Sequence, residues 1–109
     1  MQRYCLALDL KDDPDLIAAY EAYHRAVWPE IIDSLRQSGI LQLEIYRTGP
    51  RLFMILEADD DFSFEKKSIR DAADPRVQEW ETLMWKYQQA LPQAKPGEKW
   101  IRMEKIFSL

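Results

Sequence analysis

At 109 residues the chain can build one hydrophobic core and is too short for two, so residues 1–109 are read as a single domain. Fifteen basic residues against nineteen acidic ones give a net charge of −4, and the basic residues alternate with acids. The cationic footprint of a nucleic-acid binder is therefore missing.

A single cysteine, Cys5, rules out an intramolecular disulfide, and with His24 as the one histidine no Cys/His metal cage can form. No metal or organic cofactor is expected. No apolar run is long enough to span a bilayer, and Met1 leads directly into strand-like sequence, so no membrane contact and a cytoplasmic location are expected.

Residues 3–10 alternate as a strand, with Tyr4, Leu6, Leu8 and Leu10 on one face and Cys5 and Ala7 making the other nearly as apolar. Asp12, Asp13 and Pro14 mark a helix start. Between Leu16 and Leu35 the apolar residues step by three and four, the period of an amphipathic helix. Pro29 must kink or break it, and Gly39 stands where a C-terminal cap would. Residues 40–48 and 51–58 form a hairpin about Thr48-Gly49-Pro50, with Leu41, Leu43 and Ile45 expected on one face.

Asp59 to Asp61 are expected to start a helix running to about Ala73. Asp74-Pro75 restarts the chain, and helical spacing continues from Val77 through Trp80, Met84 and Tyr87 to Leu91. After a loop over 92–97, residues 99–107 are expected as a fourth strand. The order is β-α-β-β-α-β, an α+β ferredoxin-like arrangement with helices on one face of an antiparallel sheet. Because strands one and three are apolar on both faces, a second copy of the chain is expected to cover the other face.

His24 lies four residues after Tyr20 and four before Trp28, on the stripe that carries the helix's core positions. An imidazole there fits two roles, a histidine satisfied at the core rim or a proton-transfer group with Tyr20 as hydroxyl partner. Trp80, Met84 and Tyr87 are spaced as core. Glu81 and Trp85 are i,i+4 neighbours on the adjacent stripe, where an acid beside an aromatic ring would suit a carbohydrate pocket. Glu30 and Glu57 are further candidate carboxylates. Cys5, inside a strand, reads as a small buried hydrophobe. Phosphate-cradling glycine loops and nucleophile elbows are absent.

With those elements placed, the chain resembles the L-rhamnose mutarotase family over nearly its whole length. The resemblance is carried by Tyr20-Glu21-Ala22-Tyr23-His24, Val27-Trp28-Pro29-Glu30 and Ile45-Tyr46, and more loosely by Val77-Gln78-Glu79-Trp80, Leu91-Pro92 and Glu104-Lys105-Ile106-Phe107. It implies a homodimeric α/β barrel that interconverts the anomers of a 6-deoxy-hexose. It also implies His24 as the proton donor of the reaction, and Tyr20 and Trp80 as sugar contacts.

Two positions depart from the family pattern. Glu81 replaces the second of a tryptophan pair, and Leu43 replaces a tyrosine. Trp28 and Trp85 complete the expected substrate-binding set. The altered set of hydroxyl acceptors, together with Lys95-Pro96-Gly97-Glu98-Lys99-Trp100, which is similar to relatives linked to L-fucose, points to L-fucose over L-rhamnose. Two other classes fit the fold, a cofactor-independent monooxygenase and a non-catalytic sugar-binding regulatory dimer.

Overall fold

The alternation of Tyr4, Leu6, Leu8 and Leu10 with smaller residues gives strand β1 (Gln2–Leu10) in the computed structural model, which describes residues 1–109. Asp13 caps helix α1 (Pro14–His24): its carboxylate accepts from the N–H groups of Asp15 and Leu16, and Pro14 occupies a first-turn position that needs no donor. The apolar stripe running on to Leu35 is divided between two helices. Pro29 holds Trp28 in extended backbone (φ −55°, ψ 134°), so the stripe breaks after His24 and resumes as α2 (Pro29–Gln37). Gly39 then reverses the chain with φ of +98°, where a Cβ would meet the Asp59 carboxylate at 2.8 Å.

Strands β2 (Ile40–Thr48) and β3 (Arg51–Ala58) make the expected hairpin. Its register shifts between Ile40 and Gln42, leaving Leu41 unpaired. Leu41, expected beside Leu43, is therefore exposed, and Ile40, Leu43 and Ile45 form the helix-side row instead.

The next helix begins later than the acidic run suggested. Asp59 accepts from the Asp61 N–H in a turn, and Ser63 is the true cap of α3 (Phe64–Ala72), accepting from the Lys66 N–H. Helix α4 (Pro75–Trp85) starts at Asp74-Pro75 as expected, but ends at Trp85 rather than reaching Leu91. Gln88 and Gln89 pair instead with Leu10 and Asp9 as the two-residue strand β4.

Strand β5 is shorter than the expected 99–107, covering Ile101–Arg102 against Ala7 and Leu6. β4 already occupies the far end of that edge of β1. Past Met103, whose N–H donates to the Cys5 carbonyl, the chain leaves the sheet. Ile106 and Phe107 are 93% and 76% exposed.

The sheet order is β2-β3-β1-β4, with β5 sharing the outer edge of β1, and every paired neighbour is antiparallel. This is the ferredoxin-like arrangement with each helical crossover broken in two and the last strand split. One face packs on the helices through the cross-strand pair Leu8 and Leu52, both fully buried, with Leu6, Met54 and Leu56 alongside. The opposite face carries Cys5, Ala7, Phe53 and Ile55, all half-buried rather than sealed. It is rimmed by the ion pairs Arg3–Glu57 and Asp9–Arg51.

Candidate active site

A cavity of about 550 Å³ lies between the helices and their side of the sheet. Its size falls within the roughly 300–1,000 Å³ of small-molecule sites, and most of its wall is apolar, with a few polar groups converging on it. Tyr20 and His24 enter from the last turn of α1, and Trp80 and Glu81 from α4. Leu43 and Met54 come from the sheet, and Trp100 from the segment preceding β5.

His24 Nδ1 lies 2.8 Å from the Tyr20 carbonyl oxygen. A carbonyl only accepts, so Nδ1 carries the hydrogen and donates, which leaves the lone pair on Nε2. The imidazole stacks on the Tyr20 ring with centroids 4.3 Å apart and meets the Trp80 ring edge-on at 5.7 Å. Burial pushes its pKa below the ordinary 6.5, and the hydrogen bond to the Tyr20 carbonyl opposes this only in part. Near neutrality His24 is therefore an uncharged base with a fixed tautomer.

Tyr20 is buried, and its hydroxyl is directed to the Gln88 side chain, with Nε2 at 3.4 Å, rather than to His24 as the spacing suggested. The link between the two residues runs through the Tyr20 backbone carbonyl, which an i,i+4 helical pair presents directly to the later side chain. Burial is the main reason the phenol is pushed up to about 12. Gln88 lowers it and Glu81 raises it by smaller amounts. Tyr20 is thus a neutral donor.

Glu81 is ion-paired to Lys99, with Nζ 2.6 Å from Oε2 and 2.8 Å from the Glu81 carbonyl. Its other carboxylate oxygen has no protein partner. Lys99 is drawn in over the Trp85 ring at 4.8 Å, and burial lowers its pKa against the raising effect of Glu81. The same contact anchors the segment that carries Trp100 to α4.

Of the sequence-derived candidates, Tyr20, His24, Leu43, Trp80 and Glu81 line one cavity. Trp28 and Trp85 do not. Trp28 packs against Trp80 at 5.0 Å beneath the Arg76 guanidinium, and Trp85 is covered by Lys99. The alternative carboxylates are also elsewhere, since Glu30 pairs with Arg76 at the start of α2 and Glu57 pairs with Arg3 on the open face. Gln88 and Lys99 do not line the cavity but contact Tyr20 and Glu81, which do. Each is far in sequence from its partner, so neither pairing was legible, although Lys99 lies in the Lys95–Trp100 segment already singled out. No group of three or more His, Cys, Asp or Glu side chains is placed to share a metal ion.

Fold and cavity together define a small α+β protein with the subunit architecture of the dimeric α/β barrels, its pocket between helices and sheet. More particularly, the chain belongs to the L-rhamnose mutarotase family, whose sequence model matches residues 3–109. The L-fucose mutarotase of Xanthomonas campestris pv. campestris is 53% identical over 111 residues, covering 100% of this chain and 89% of that protein. Among solved structures, the L-rhamnose mutarotase of Formosa agariphila superposes with a TM-score of 0.73 at 22% identity, covering 100% of this chain and 99% of the other. Tetracenomycin F2 cyclase of Streptomyces glaucescens, a type-II polyketide cyclase, shares the fold with a TM-score of 0.63 at 20% identity, covering 100% and 97%.

Proposed function

We propose that the protein is a mutarotase of 6-deoxy-hexoses, working on L-fucose in preference to L-rhamnose by general acid/base catalysis. The observation that carries this reading is a neutral imidazole and a protonated phenol lining the same cavity beside an indole ring. Mutarotation needs a base for the anomeric hydroxyl and an acid for the ring oxygen. His24 Nε2 takes the anomeric proton while the Tyr20 hydroxyl gives its own to the ring oxygen as the C1–O bond breaks. The free aldehyde turns about C1–C2, and both protons return on closure.

Trp80 offers an apolar surface to the sugar C–H face, and the unpartnered oxygen of Glu81 accepts from a ring hydroxyl. Glu81 in the wall and the 53% identity to a protein named L-fucose mutarotase support the fucose preference. Membership of a mutarotase family weighs against the monooxygenase reading.

The decisive measurement is NMR exchange spectroscopy on L-fucose, L-rhamnose and D-galactose with catalytic amounts of protein. Anomer exchange is expected to accelerate most for L-fucose. Equal acceleration of both deoxy sugars would remove the preference, and binding without acceleration would make the protein a sugar-binding module.

The reading includes a cytoplasmic homodimer. The unpaired Cys5 agrees with a reducing compartment. The half-buried Phe53–Ala7 and Ile55–Cys5 pairs on the helix-free face, and the exposed Ile106 and Phe107, supply apolar surface for a second copy. Phe53→Asp is expected to shift the mass in light scattering from about twice 13.0 kDa to the single-chain value. A parent already monomeric at micromolar concentration would exclude this dimer.

A further inference from the structure

Gln88 is 5% exposed, and its Oε1 is buried with no hydrogen-bond partner. Leaving a buried polar atom unpaired costs about 1–3 kcal/mol, so a folded protein that keeps one has a use for the rest of the group. The only side-chain hydrogen bond Gln88 makes is from Nε2 to the Tyr20 hydroxyl oxygen. Strand β4, which carries it, is pinned to β1 by the Leu10–Gln88 and Asp9–Gln89 pairs, and the Lys11 N–H donates to the Tyr87 carbonyl just before it. The amide therefore stands on a fixed backbone behind the phenol.

The geometry points to Gln88 as a positioning residue that orients the Tyr20 proton. An amide N–H donating to the phenol oxygen occupies one of its lone pairs, so the phenol's own hydrogen must point elsewhere, and the accessible direction is the cavity that Tyr20 lines. With the amide turned end for end, Tyr20 would donate its proton to Oε1 and have none for the sugar ring oxygen. The unpaired Oε1 is the counterpart of holding the donor end toward Tyr20. This inference rests on the reading of Tyr20 as the acid of the mutarotation.

Two substitutions test it by NMR exchange on L-fucose. In Gln88→Glu, an ionised carboxylate can only accept, so the Tyr20 hydroxyl donates its hydrogen bond to it and is turned away from the cavity. At pH 7.5 kcat is expected to fall at least tenfold with KM within about twofold of the parent. It should recover toward acid, as the introduced carboxyl gains a proton and can donate again, down to the pH at which His24 itself protonates. Gln88→Met removes both the donor and the orphaned acceptor at similar volume. It should fold with a melting temperature at or above the parent's and still lose kcat.

Tyr20→Phe provides the control. Starting from it, Gln88→Glu should produce little further loss, since the two residues act as a unit. A Gln88→Glu profile parallel to the parent's, or a loss undiminished in the Tyr20→Phe background, overturns the role of Gln88 while leaving the mutarotase reading intact. Full exchange by Tyr20→Phe itself would overturn the acid assignment and this inference with it.

Discussion

Replacing His24 by alanine is expected to slow protein-catalysed exchange of L-fucose anomers by roughly 10²–10⁴-fold, the contribution of one positioned acid–base group. The fold should survive. His24 is half-buried at the last residue of α1, and its one hydrogen bond goes to a carbonyl within its own helix. Far-UV circular dichroism and the melting temperature are therefore expected to stay near the parent's, separating a chemical loss from unfolding. Unchanged exchange would remove His24 from the mechanism.

The pH dependence follows from the same environment. Burial lowers the imidazole pKa below 6.5, so the neutral base persists at pH 7 and above. Protonation in acid fills the Nε2 lone pair. Activity should be flat from about pH 7 upward and fall on acidification, with a midpoint below 6.5. His24→Ala should lack that acid limb in whatever activity remains. A midpoint above 6.5 would mean that a neighbouring negative charge outweighs burial.

Trp80→Ala is expected to cost about 3–5 kcal/mol in urea denaturation at fixed protein concentration, the usual range for deleting a buried tryptophan. Total stabilities of about 5–15 kcal/mol make that a large share. Trp80 is 6% exposed and meets Trp28 at 5.0 Å, Tyr23 at 6.3 Å and His24 at 5.7 Å, while part of it still lines the cavity. One ring therefore belongs to the core and to the site together. Trp80→Phe, which keeps an aromatic edge, should lose far less stability. A loss under about 1 kcal/mol for Trp80→Ala would place Trp80 in a yielding cavity wall rather than a close-packed core.

Much of this architecture was legible from local pattern. Period-two alternation marks β1 and the β2–β3 hairpin, period-three-and-four spacing marks the helices, and Pro29 marks the break between α1 and α2. Those signals depend on neighbours in sequence, so a single chain displays them. The Tyr20–His24 stack is equally local, one helical turn apart. Termini that depend on distant partners were misplaced. The helical spacing through Leu91 was overridden because β1 had a free edge for Gln88 and Gln89. The strand expected over 99–107 shortened to Ile101–Arg102, with β4 holding Asp9 and Leu10 on one side and the chain leaving β1 past Met103 on the other.

The site divides along the same line. Which residues could move protons was set by chemistry written in the sequence, one histidine and a tyrosine four positions before it. Tertiary packing alone decided that burial lowers the His24 pKa, that Glu81 is held by Lys99 eighteen residues away, and that Gln88, sixty-eight residues from Tyr20, stands behind its hydroxyl. Trp28 and Trp85 show the converse, since spacing admitted them and packing turned them elsewhere. Periodicity tells which face of a helix a residue occupies. The direction and burial of a side chain's polar atoms depend on what the rest of the chain brings against that face.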